Sequence, residues 1–259
     1  MTRFLFAAVA VLAGAVGYQY WTDATVEQPA PFTLSDLSPT EQAALRGEVR
    51  SYLVENPDVM LEVIAALEAR EAEIEAANDA NLIAANADAI FNDGYSWVGG
   101  NPDGDVTIVE FLDYRCGFCR RAHPVITELV ERDKNIRLVV KEFPILGEDS
   151  MRASRFALAV KASYGDDAYK RVHDALMELR AGVNERTLGI VAEAEGLDAE
   201  ALFAAMDAPE ISQVINANRA LGQAMAINGT PSFIVGNQLL RGFLPLEGMQ
   251  AVIAEAREG

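Results

Sequence analysis

Phe111-Leu112-Asp113-Tyr114-Arg115-Cys116-Gly117-Phe118-Cys119-Arg120-Arg121 holds both cysteines of the chain, with two residues between them. It lies where the hydrophobic period changes. Upstream, Val106-Thr107-Ile108-Val109-Glu110-Phe111-Leu112 is β-branched and apolar, as a buried strand requires. Downstream, between Arg120 and Asp133, Ala122, Val125, Ile126, Leu129 and Val130 recur at helical spacing. The C-x-x-C therefore opens a helix.

A helix start presents unpaired N–H groups and the positive end of the helix dipole, so a thiolate forms there more readily than on free cysteine. Cys116 is expected as the nucleophile. Cys119, one turn further in and more covered, is placed to attack a mixed disulfide on Cys116 and resolve it. Arg115, Arg120 and Arg121 add positive potential near the sulfurs. Half of a zinc site is the competing reading, but His123 and His173 supply neither a second C-x-x-C nor an H-x3-5-H pattern, so no metal is expected. His123 is expected on the surface of the new helix, and His173 as an ordinary helix residue.

Glu110, six residues before Cys116, interrupts the apolar strand and shares the facing of Leu112. A carboxylate in a strand interior is costly unless partnered or useful. The functional reading makes it a proton acceptor for Cys119 with a pKa raised by burial; the alternative is a strand-end acid reaching solvent. A second strand is expected over Ile136 to Phe143, where Lys141 is either the partner of Glu110 or an exposed edge charge.

The chain has 259 residues and a formal net charge of −18, which excludes nucleic acid and anionic membrane surfaces as partners. With both cysteines in the motif, no structural disulfide can staple the fold. Arg3 and the apolar run Phe4 to Gly17 read as a secretory signal over residues 1–17, with Ala13 and Ala15 offering a cleavage site. Tyr18, Tyr20 and Trp21 leave an uncleaved membrane anchor open. Either outcome places the catalytic part outside the cytoplasm, where disulfides persist. Residues 18–33, with Pro29 and Pro31, form a linker.

Residues 34–91 are expected as a helical segment. Ser38-Pro39-Thr40-Glu41 has the form of a capping box with proline at the first helical position. A second start at Asn56-Pro57 leads into Met60, Val63, Ile64, Leu67 and Ile74, an apolar stripe that needs covering. It is covered either by other copies of the chain or by the chain's own catalytic domain. Asn92-Asp93-Gly94 and Gly99-Gly100-Asn101-Pro102-Asp103-Gly104 punctuate the chain before the cysteine strand. A domain over 94–259 follows, with a helical insertion at about 150–227. It ends in a hairpin around Gly236-Asn237-Gln238, entered by Thr230-Pro231, and a last helix from Pro245. Asn228-Gly229-Thr230 matches a glycosylation sequon, read as fortuitous.

C-x-x-C at a helix start, an acid six residues before it, and Thr-Pro leading a terminal hairpin and helix together resemble a thioredoxin-fold oxidoreductase. The helical block between strands is similar to the DsbA-like group of secreted enzymes. The amino-terminal segment, with Cys116-Gly117-Phe118-Cys119-Arg120-Arg121 and Thr230-Pro231, resembles the suppressor-of-copper-sensitivity protein C subfamily. The fold class is thus α/β: a thioredoxin fold with an inserted helical subdomain after an amino-terminal helical extension. The resemblance implies that Cys116 is an exposed nucleophile, forming the redox disulfide with Cys119, that Glu110 is the buried acid, and that Pro231 is cis and faces the disulfide. Thr230 would offer backbone hydrogen bonds to an extended substrate, beside Gly117 and Phe118. No cofactor is implied.

Strongly oxidising members carry Pro-His between their cysteines, whereas this chain has Gly117-Phe118. Without that histidine, Cys116 should be less acidic and the disulfide less oxidising. The expectation is a periplasmic disulfide isomerase or reductase acting on misoxidised secreted proteins. It would be recharged by a membrane redox partner and be oligomeric through residues 34–91, since several active sites facing one substrate raise effective concentration. The alternatives are a DsbA-type dithiol oxidase acting on reduced proteins and a Cu(I)-binding module for copper tolerance, because paired thiolates suit that ion.

Overall fold

The computed structural model describes residues 37–258. The signal or anchor and the linker expected over 1–33 lie outside them. Among the described residues no helix is long and apolar enough to cross a membrane.

The chain divides into two compact units between Leu67 and Glu68. In the first, helix α1 (Pro39–Glu55) begins with the expected box: Glu41 N–H donates to Ser38 Oγ at 3.4 Å, and Ser38 N–H donates to Glu41 Oε2 at 2.8 Å. Helix α2 (Asp58–Ala85) follows after Asn56-Pro57. Helix α1 buries no residue, and Val49, Tyr52, Met60, Val63, Ile64 and Leu67 all stay exposed.

The boundary expected at residues 91–94 moves back to residue 67. In the second unit the later turns of α2 bury Asp79 and Ile83, and α3 (Ala87–Phe91) buries Ile90. Asp79 accepts a two-pronged bond from Arg241, at 2.7 and 2.8 Å. An alanine- and glutamate-rich helix looks solvent-facing by composition, so one aspartate and one isoleucine aimed at a sheet are hard to see in sequence.

That sheet has five strands in the order β1-β3-β2-β4-β5: β1 (Trp97–Gly100), β2 (Val106–Leu112), β3 (Ile136–Glu142), β4 (Ser232–Val235) and β5 (Gln238–Arg241). Strands β2 and β3 run parallel, with Glu110 opposite Val140 and Leu112 opposite Glu142, and helix α4 (Gly117–Arg132) connects them. The other pairings are antiparallel. Strand β1 is missed by the sequence reading because Gly99-Gly100 looks like a loop. A Cβ on Gly99 would collide with the Trp97 ring, and Gly100 sits at φ +69, so the strand needs both glycines.

Period-two alternation sorts the central strands between two cores. Ile108, Leu112, Ile136, Leu138 and Val140 join α4 residues Cys119, Ala122, Ile126 and Leu129. Val109, Phe111 and Val139 turn the other way, toward Ile83, Ile90, Leu221 and Met225. The expected helical block comprises α5 (Glu148–Tyr164), α6 (Asp166–Glu178), α7 (Glu185–Ala194), α8 (Ala199–Ala205) and α9 (Pro209–Ala224). The hairpin and α10 (Leu246–Glu258) close the unit.

Candidate active site

Cys116 is the N-cap of α4, with φ −73 and ψ 119, so its sulfur stands where the first helical N–H groups are unpaired. Both thiols are free. Cys119 is fully buried, and Cys116 keeps 6% of its surface. The expected exposed nucleophile is therefore a recessed one, because its thiol turns toward the hairpin entrance and donates to the Thr230 carbonyl at 3.0 Å. The Thr230–Pro231 peptide bond is cis. Phe118 is largely exposed beside it, its ring under the Arg121 guanidinium at 4.2 Å from the centroid.

The two thiols are opposed in acidity. The Cys119 thiol hydrogen-bonded to Cys116 is the main reason that the Cys116 pKa falls to about 5; burial opposes it, and the backbone N–H groups of Cys119 and Phe118 assist. Cys119 is pushed well above the thiol range, first by burial, then by its bond to Cys116 and by the negative charge of Glu110. The outer sulfur is therefore the far more acidic of the two, the one disposed to ionise, and the inner one holds its proton.

Glu110 is buried, its Oε1 has no hydrogen-bond partner, and its pKa rises to about 8 through burial and then the charge of Glu142. The strand-end reading fails on that burial. Glu142 is also buried and lies on the same face of the sheet, since both residues alternate with core positions of β2 and β3. Its Oε1 accepts from Tyr114 at 2.7 Å and from Tyr169 at 2.6 Å, and burial raises its pKa to about 7. Neither expectation for Lys141 stands. Paired with Phe111 in the ladder, it faces away from Glu110 and is fully buried. Its ammonium is ion-paired with Asp93 and donates to the Ala89 carbonyl at 2.7 Å.

Both histidines lie on helices, as expected, His123 on α4 and His173 on α6. His173 is buried, with Nδ1 at 3.0 Å from the Tyr114 hydroxyl, and burial drives its pKa down to about 3. His123 is only partly exposed and meets Asp174 at 3.1 Å. Asp113 is a site residue that the sequence reading passed over. Its Oδ1 accepts from Arg115 N–H at 2.8 Å, and its Oδ2 accepts from Ile145 and Leu146 N–H at 2.8 and 3.1 Å. It thus ties the turn before Cys116 to the end of β3. An aspartate bonding the N–H two residues on is a recognisable turn signal.

Beside Cys116 lies a groove of about 470 Å³, lined by Phe118, Arg121, Gly229, Thr230, Pro231 and Phe243 among others. Its lining combines the apolar surfaces of Phe118, Pro231 and Phe243 with the polar groups of Arg121, Asn228 and Arg241.

The family model of the DSBA-like thioredoxin domain matches residues 107–254, and that of the copper resistance protein ScsC N-terminal domain matches residues 41–73. A thioredoxin-like oxidoreductase from Silicibacter pomeroyi DSS-3 is 44% identical at a TM-score of 0.63, covering 66% of this chain and 98% of that one. The thiol-disulfide exchange protein alpha-DsbA2 from Wolbachia pipientis is 27% identical at a TM-score of 0.65, covering 70% of this chain and 96% of that one. The Na(+)/H(+) antiporter NhaA 1 of Salinispora arenicola (strain CNS-205) is 28% identical over 166 residues, 62% of this chain and 25% of the antiporter. The chain therefore spans about a quarter of the length of that curated relative. The first match runs from the cysteine strand β2 into the last helix α10 and takes in more than half of the sequence, so the chain belongs to the DsbA-like thioredoxin domain family.

Proposed function

We propose that this protein is an exported thiol-disulfide oxidoreductase that works mainly as a disulfide isomerase or reductase, with Cys116 as nucleophile and Cys119 as resolving thiol. The observation that carries it is the split between the thiols, one held near pKa 5 at a groove and the other buried and protonated. The Cys116 thiolate attacks a substrate disulfide; one substrate sulfur leaves as thiolate and a mixed disulfide forms on Cys116. Cys119 then loses its proton to Glu110 in its ionised form, the minor form at neutral pH because the Glu110 pKa is about 8, attacks the Cys116 sulfur, and releases the second substrate thiolate with the Cys116–Cys119 disulfide formed. In isomerisation the freed substrate thiolate instead attacks another disulfide of the substrate, and the thiolate released there attacks the mixed disulfide and frees Cys116 before Cys119 acts. Thr230 and the groove beside Pro231 hold the substrate segment.

A Cys116 pKa near 5 lies between the ~3.5 of the strongly oxidising DsbA type and the ~7 of thioredoxin, in keeping with Gly117-Phe118 in place of Pro-His. The same value favours the oxidase alternative to a degree, since stabilising the thiolate stabilises the reduced form. Rapid oxidation of reduced peptides by the disulfide form, with no reshuffling by the dithiol form, would establish that alternative.

Misoxidised exported proteins are the substrates in this reading, and a membrane redox partner returns Cys116 to the thiol. The periplasm as location rests on the signal-like residues 1–17. The exposed apolar side chains of α1 and the first turns of α2 support self-association through the amino-terminal segment. Copper tolerance, suggested by the description of the matching amino-terminal domain, would use the same thiol pair. Cu(I) titration of the dithiol protein and of Cys116→Ser tests it: binding unchanged by the substitution is incompatible with a thiol-pair site.

A further inference from the structure

We propose that His123, His173 and Asp174 form a binding site for a divalent transition-metal ion of the zinc type, joining helix α4 to helix α6. Among the described residues they are the one group whose donor atoms, one from each of three side chains, lie together, all within 4.8 Å of one another. Two imidazoles and a carboxylate are a donor set for zinc, nickel or copper(II); magnesium and calcium take oxygen alone. Three protein ligands with an outer position left to water is the form of an open zinc site. Zinc holds its ligands at about 2.0–2.2 Å, so donors on one ion stand roughly 3.5 Å apart. Closing this group takes a movement of about an ångström, and the two partly exposed members, His123 and Asp174, are free to make it.

A second observation concerns His173 alone. It is 3% exposed, and a buried histidine is held by what it bonds. The Tyr114 hydroxyl has one proton and donates it to Glu142 Oε1 at 2.7 Å. The Nδ1 of His173, 3.0 Å from that same hydroxyl oxygen, is therefore the donor in its own bond. That fixes the tautomer and leaves the lone pair on Nε2. A ring nitrogen backed through hydrogen bonds by a carboxylate is how proteins orient a histidine toward a metal, and here the backing runs Glu142–Tyr114–His173. Tyr169 adds a second donor to Glu142 at 2.6 Å and stacks its ring on His173 at 5.8 Å. The His123 ring stands 5.1 Å from that of His173. Lys170 bonds Asp174 at 2.7 Å, and its amine, on a flexible chain at the surface, moves off when the carboxylate turns to an ion. Neither cysteine belongs to the group, so the site needs no thiolate ligand.

The test uses the untagged full chain with Cys116 and Cys119 joined in a disulfide, which takes thiolate ligands away. Titration with Co²⁺ should produce visible d–d absorption that saturates at one equivalent and is abolished by added Zn²⁺. Excess Zn²⁺ should raise the melting temperature. His123→Ala and Asp174→Asn, substitutions at partly exposed positions, should each weaken binding at least tenfold. Tyr114→Phe, which keeps the ring and removes the bond behind His173, should weaken it by about 10- to 100-fold. No cobalt uptake by the disulfide form would overturn the proposal and leave a plain His–Asp hydrogen-bond cluster. Equal affinity in the parent, His123→Ala and Asp174→Asn chains would overturn it too, placing the metal on surface carboxylates of this acidic protein.

Discussion

Cys116 and Cys119 have the same side chain and differ by one helical turn, yet their surroundings drive their acidities apart. Alkylation of the dithiol protein by iodoacetamide should therefore label Cys116 alone, with a rate that inflects near pH 5, against ~8.5 for free cysteine. An inflection near 8.5 would remove the thiolate from the mechanism. Glu110 carries a prediction about stability as well as rate. Between 4.5, the ordinary glutamate value, and about 8, folded Glu110 keeps a proton that the unfolded chain has lost. Stability therefore falls as pH rises through that window, with Glu142, raised to about 7, acting in the same sense. Glu110→Gln should flatten the slope and stabilise the protein at pH 8 by on the order of a few kcal/mol, read from urea midpoints. The same substitution should slow the resolution of a mixed disulfide at least ~10-fold, because a positioned proton acceptor is lost. A variant that destabilises at pH 8 would mean that Glu110 is ionised and paired.

At the scale of elements, much of the second unit is legible because its signals are local. The β-branched run Val106 to Leu112 forms β2 with those bounds, and the apolar spacing after Cys119 forms α4. The Ser38 box starts α1 where its chemistry requires. What escaped depends on partners distant in sequence. Strand β1 exists because β3 accepts it, and Lys141 is buried because Asp93, 48 residues away, lies beneath it. Helix α9 offers a test of such long-range packing. A methyl on Gly222 would stand 2.5 Å from the buried Phe143 ring. Gly222→Ala, favourable by helix propensity alone, should nonetheless cost about 1–3 kcal/mol in chemical denaturation. A stabilising effect would show that Phe143 has room to move.

At the scale of the whole molecule, net charge −18 and the absence of a structural disulfide leave solubility to charge and stability to packing. The exposed apolar side chains between Val49 and Leu67 are expected to be covered by other copies of the chain. Because residues from Glu68 onward belong to the second unit, the informative truncation ends at Leu67 and not at residue 91. Light scattering should find the longer form oligomeric and a chain starting at Glu68 monomeric. Cys116 should keep its alkylation profile in both. Two equal masses would assign those side chains another partner. The most direct test of the proposed chemistry is the recovery of a scrambled disulfide substrate by the dithiol protein, run beside Cys116→Ser. Recovery by the parent chain and none by the variant is the predicted result. No recovery by the parent, with fast oxidation of a reduced peptide by its disulfide form, would contradict the isomerase reading and make the protein an oxidase.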